Sequence, residues 1–133
     1  MAWIDHLQKA LEARDEVRLA VLFGSSARRG AGRDADVALL VEPDSPSLRR
    51  RLEAELGRAA GCAVDLVYLD EAPPLLRFEI ARDGQVLVER VPHLWADVRA
   101  RAMIDWWDWA PTARRLFATA AERVRGKVPS GPA

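Results

Sequence analysis

Phe23-Gly24-Ser25-Ser26-Ala27-Arg28-Arg29-Gly30-Ala31-Gly32-Arg33-Asp34-Ala35-Asp36-Val37-Ala38-Leu39-Leu40-Val41 is the stretch whose reading decides the fold. It runs from the end of one apolar strand through a Gly-Ser turn and a basic, glycine-rich loop. It then enters a second apolar strand that opens on acidic residues. Upstream, Val17 to Phe23 is nearly continuous in apolar residues, the pattern of a strand buried on both faces. Asp36 to Val41 repeats that character. Two such strands joined by a short loop are expected to be neighbours, with the loop presented at one end of a sheet. Glycine permits positive φ and close backbone approach, and consecutive turn N–H groups form a concavity for anions. Arg28, Arg29 and Arg33 add cations suited to phosphate.

The rest of the chain extends the pattern outward. Trp3, Ile4, Leu7, Ala10 and Leu11 recur at helical spacing, which predicts an amphipathic helix over 2–14. Pro43 to Pro46 is a turn before a helix over about 47–60, with Leu48, Leu52 and Leu56 on one face and Gly61 as its stop. Ala63 to Leu69 reads as a third strand, 74–82 as a helix ending at Asp83-Gly84, and Gln85 to Glu89 as a fourth strand. From residue 93 a tryptophan-rich helix is expected, interrupted near Pro111 and followed by a second helical run over 112–125. This order predicts an α/β (α+β) chain with three parts: a domain over 1–92, a C-terminal helical extension of it over 93–126, and a disordered tail over 127–133.

Composition narrows the function. The chain has 133 residues, half of them hydrophobic, enough for one domain with a core. Lys+Arg and Asp+Glu number 20 each, so bulk charge gives no case for nucleic acid or a membrane surface as partner. The single cysteine, Cys62, excludes an internal disulfide framework and suits a cytoplasmic setting. One cysteine and two histidines, His6 and His93, do not make a zinc site. Self-association stays open. Trp95 and Trp106 read as core residues, and Trp107 or Trp109 as part of an interface.

Asp36 and Asp65 are the candidate chemical residues. Each lies inside an apolar strand, as Ala35-Asp36-Val37 and Val64-Asp65-Leu66, where an unpaired carboxylate is costly. A shared divalent cation with oxygen ligands accounts for both. Two strand-end aspartates facing water are the alternative.

These motifs resemble those of the DNA polymerase β-like nucleotidyltransferase superfamily. More narrowly, they resemble the minimal nucleotidyltransferase (MNT) antitoxins that accompany HEPN-domain toxins. Gly24, Ser25, Ala27, Arg28 and Gly30 match the family's Gly-Ser loop, Ala35-Asp36-Val37-Ala38-Leu39 its metal-binding strand, and Val64-Asp65-Leu66-Val67 the strand of its third aspartate. The resemblance is good over 17–90 and loose beyond. It implies the polymerase β-like fold, Mg2+ held by Asp36 and Asp65, and nucleotide phosphates held by Gly24, Ser25 and Arg28. It further implies ATP as substrate and AMP transfer to a tyrosine of a HEPN toxin. One position departs from the pattern: Ala38 stands where the family has its second metal-binding aspartate. Positions 36 and 38 lie on one side of a strand, roughly 6.5–7 Å apart. Two carboxylates at that spacing hold a pair of metals about 3.5–4 Å apart, and an alanine removes one. Asp34 has the same parity and is the alternative ligand. The chain therefore reads either as a protein adenylyltransferase with one catalytic carboxylate missing, or as a degenerate relative that only binds nucleotide or toxin.

Overall fold

The computed structural model describes residues 2–24 and 34–127, with the side chains of 34 and 124–127 outside that description. The elements in chain order are α1 (Ala2–Glu12), β1 (Val17–Phe23), β2 (Asp34–Val41), α2 (Pro46–Ala60), β3 (Ala63–Tyr68), α3 (Pro74–Asp83), β4 (Gln85–Glu89) and α4 (Leu94–Lys127). The four strands form one mixed sheet in the order β3-β2-β1-β4. β1 is antiparallel to both β2 and β4, whereas β2 and β3 run parallel.

Strand periodicity sorts the side chains between two layers. Ala20, Leu22, Val37, Leu39 and Val64 face α1 and α2, meeting Leu7, Leu11, Leu48, Leu52 and Leu56. Leu19, Val21, Phe23 and Ala38 face the other way, onto Leu69 and Ile80, with Trp95 and Val98 of α4 packed alongside. β1 supplies apolar residues to both layers, which explains its unbroken hydrophobic run.

α2 carries its own punctuation. The Ser45 hydroxyl accepts a bond from the Leu48 N–H at 3.0 Å, Pro46 opens the first turn, and Gly61 closes the helix at φ 69°. Long-range bonds fix the edge strand: Gln8 Nε2 donates to the Leu87 carbonyl at 2.9 Å. The Arg90 guanidinium donates to the carbonyls of Glu12, Arg14 and Val17.

The C-terminal region differs from the sequence reading. α4 is one 34-residue helix passing through Pro111, where a break was expected. Contacts anchor the helix before that residue: Trp106 stacks on Phe78 of α3 with centroids 5.3 Å apart, and Asp105 accepts from Arg77 at 2.8 Å. Ala110 and Ala113 are buried on either side of Pro111, while Pro111 itself is exposed. A proline on the outer face removes one ladder bond without losing the packed face. At about 1.5 Å per residue α4 runs about 51 Å against about 15 Å for α3. It therefore outlasts its support, and Leu116 and Phe117 are 56% and 68% exposed. Trp95, Trp106 and Trp109 are half-buried, and Trp107 is 67% exposed. The expected tail over 127–133 lies outside the described residues except for Lys127.

Candidate functional site

The parallel register of β2 and β3 sets Asp36 directly beside Asp65, and Ala38 beside Val67. All four side chains point to the α3 side of the sheet, by the alternation that puts Ala38 in the layer with Phe23. β1 ends next door, with Phe23 opposite Asp36. Gly24 follows with φ 78°, a conformation open to glycine and rare for other residues. A Cβ placed on Gly24 would lie 2.6 Å from Asp36 Oδ2. The missing side chain thus makes room for the Asp36 carboxylate.

These residues floor a cavity of about 510 Å³ lined by Phe23, Gly24, Asp36, Asp65, Val67, Leu76, Glu79, Arg82 and Asp83. That volume is in the range of small-molecule sites, about 300–1,000 Å³. Asp65 is exposed and Asp36 half-buried. The far wall is α3, where Leu76, Glu79 and Asp83 share a face at helical spacing. Sequence reasoning missed this wall. The spacing was legible, but a charged face on a short helix reads equally well as solvated. Arg82 Nη2 donates to Asp83 Oδ2 at 2.8 Å, and this bond holds the Arg82 guanidinium above its ordinary pKa. Among the described lining residues, four carboxylates thus face one guanidinium. Those four carboxylates attract cations.

Of the expected phosphate-binding residues, Gly24 is at the cavity, whereas Ser25 and Arg28 lie outside the described residues. Asp34 opens β2 opposite Ala63, and its side chain lies outside the description, so the alternative ligand stays unassigned. Ala38 has no exposed surface and packs among apolar residues. It does not line the cavity.

The donor chemistry suits magnesium, which binds through one or two carboxylates, waters and substrate phosphate oxygens. Asp36 and Asp65 are the residues that would supply that pair for one ion. Among the described residues there is no cluster of three or more Asp, Glu, His or Cys placed to hold a metal ion. A second ion has no ligand at position 38. The pair would bring a Lewis acid to the phosphates, and Gly24 would offer them its backbone N–H.

The chain matches a family model, "Polymerase beta, Nucleotidyltransferase", over residues 5–93. Comparison with curated proteins gives no match. Among solved structures, a chain of a toxin–antitoxin complex with AMP-PNP has a TM-score of 0.76 at 20% identity, covering 89% of this chain and 98% of that one. A chain of the MntA–HepT toxin–antitoxin complex has a TM-score of 0.72 at 19% identity, covering 90% and 97%. A complex of tri-AMPylated Shewanella oneidensis HEPN toxin with MNT antitoxin gives 0.73 at 20%, covering 90% and 96%. At these identities the likeness is one of fold, and its coverage of about nine-tenths of the chain reaches into the C-terminal helix that the family match leaves out. The mixed sheet, its flanking helices and the match over most of the sequence place the chain in the polymerase β nucleotidyltransferase family.

Proposed function

We propose that this chain is the antitoxin of a HEPN-domain toxin, with an Mg2+-dependent ATP site and adenylyl transfer slowed by the loss of one metal ligand. The observation that carries the reading is the pairing of Asp36 with Asp65 beside Gly24, in the lining of a cavity of about 510 Å³. Solved structures of the same fold support this choice of partner: one is a toxin–antitoxin complex with AMP-PNP, and another holds an AMPylated HEPN toxin. In this reading Asp36 and Asp65 would hold one cation, and Gly24, Ser25 and Arg28 would hold the triphosphate. A toxin tyrosine attacks the α-phosphorus, with pyrophosphate leaving. Two-metal sites clamp both attacking and leaving oxygens. A one-ion site lacks half of that clamp, and each tenfold loss of rate is about 1.4 kcal/mol of barrier. Neutralisation by contact alone is the second reading, and the apolar burial of Ala38 favours it.

Labelled ATP, Mg2+ and the cognate toxin test both. Slow labelling of the toxin is expected, abolished by Asp65→Asn and raised at least about tenfold by Ala38→Asp. An aspartate at position 38 would be buried among apolar groups, so the variant should melt lower than the parent without metal and recover with Mg2+ and nucleotide. Toxin silenced with no label in any variant would leave contact alone as the mechanism. Toxin still active at saturating antitoxin would remove the antitoxin reading.

A further inference from the structure

β3 is an edge strand with one open side. β2 pairs with one edge of it, and among the described residues no strand pairs with the other. The Leu69 N–H donates to the Leu39 carbonyl. In a parallel ladder that role falls on every second residue, so the N–H groups of Asp65 and Val67 turn to β2 as well. The N–H and carbonyl of Leu66 then turn outward. The other edge of the sheet differs, because Gln8 of α1 donates to the Leu87 carbonyl of β4. β3 has neither lysine nor proline, and its register with β2 is unbroken. It thus lacks the usual guards of an open edge.

That edge separates two hollows, and Asp65 lines both. On the α3 side is the cavity shared with Asp36. On the α2 side is a groove of about 350 Å³ lined by Arg49, Glu53, Val64, Asp65, Leu66 and Tyr68. A strand laid along the edge would alternate its side chains between the two. Its residue opposite Asp65 would share the face of Asp65 and point to the cavity, while the neighbours on either side would point to α2. There Arg49 is held by Asp44 and Glu71 and stacks over Tyr68. Glu53 is exposed and has no ion pair among the described residues. The chain reverses at Gly61, so Glu53, one turn beyond Arg49, lies toward Leu66 and Val64. We infer that the open edge of β3 binds the acceptor segment of the toxin as an added strand, with its tyrosine opposite Asp65 and a basic neighbour on Glu53. The inference rests on the adenylyl-transfer reading above. Backbone bonds to Leu66 would supply affinity, and the alternation would turn the tyrosine toward the cavity.

Amide hydrogen exchange of the isotope-labelled full chain, read by NMR with and without the cognate toxin, tests the docking without relying on turnover. In the free chain the Asp65 and Val67 amides should exchange slowly and the Leu66 amide fast. Toxin should slow Leu66 at least about tenfold. Synthetic heptapeptides test the alternation. Each is symmetric about a central tyrosine, with lysine at both neighbours in one and glutamate in the other. The lysine peptide should bind about threefold or more tighter by fluorescence anisotropy, and Glu53→Arg should reverse the preference. Glu53 is exposed, so this variant should keep the parent's melting temperature. Toxin silenced while Leu66 exchanges as before overturns the edge docking and leaves the antitoxin reading standing. Toxin neither bound nor silenced overturns both. A peptide preference that Glu53→Arg leaves unchanged also overturns the inference. So does Leu66 protection that grows with the concentration of the free chain alone, which would give the edge to a second copy.

Discussion

Gly24 is where backbone conformation and chemistry meet. Its φ of 78° and the 2.6 Å between a hypothetical Cβ and Asp36 Oδ2 both exclude a larger residue. Gly24→Ala should cost about 1 kcal/mol or more in stability from the backbone alone. It should also push the Asp36 carboxylate off its position. Titration of Mg2+ and a fluorescent ATP analogue into the variant should show binding weakened beyond what the lower melting temperature explains. Unaltered nucleotide affinity would mean that Asp36 does not set the site. At this scale the sequence was informative where a residue's local context was unusual. An aspartate inside an apolar strand is costly without a partner, and that oddity marked Asp36 and Asp65 before their register was known. Glu79, Arg82 and Asp83 had no such mark. Charges on a helix are unremarkable until the sheet face beneath the helix is known. Ala38 was legible as a missing ligand, but its complete burial was not, since that depends on Leu69 and Ile80 arriving from other elements.

Among the elements, strand and helix types followed from periodicity and capping. The order β3-β2-β1-β4 did not, because the β1–β4 edge pairing depends on long-range bonds from Gln8 and Arg90. α4 is the clearest difference from local expectation. Proline inside a helix removes a bond to the carbonyl four residues earlier and crowds that turn, at about 3 kcal/mol in an exposed interior position. The helix continues because the buried Ala102, Ala110 and Ala113 and the stacked Trp106 stabilise the opposite face. Tertiary packing decides the matter here, as it commonly does against propensity. Pro111→Ala should therefore raise stability by about 1–3 kcal/mol, as read by urea unfolding. A destabilised variant would mean that Pro111 is itself a packing residue.

At the scale of the whole molecule, Arg14, Arg49 and Arg77 tie elements that are remote in sequence through ion pairs. Arg14 pairs with Glu55 and joins the end of α1 to α2. Arg49 lies 3.7 Å above the Tyr68 ring and binds both Asp44 and Glu71, joining the turns before α2 and after β3. Arg77 pairs with Asp105 and joins α3 to α4. In each case the arginine's hydrogen bond holds the carboxylate below its ordinary pKa. A carboxylate depressed in the folded state contributes stability above its unfolded pKa and loses that contribution as pH falls through the folded one. The melting temperature should therefore stay nearly level from about pH 7 to pH 5 and fall below about pH 4, where ordinary carboxylates protonate. All of these groups are open to water, so each pair contributes modestly and salt weakens it. Arg77→Met should flatten the acid limb measurably. It removes the guanidinium that depresses Asp105 while keeping much of the aliphatic stem that packs beside α4. The check is a thermal unfolding series by circular dichroism from pH 7 to pH 3 for the parent and this variant. Identical acid limbs would show that the α3–α4 pair contributes nothing, and that this half of the molecule is held by Phe78, Trp106 and the buried alanines of α4 alone.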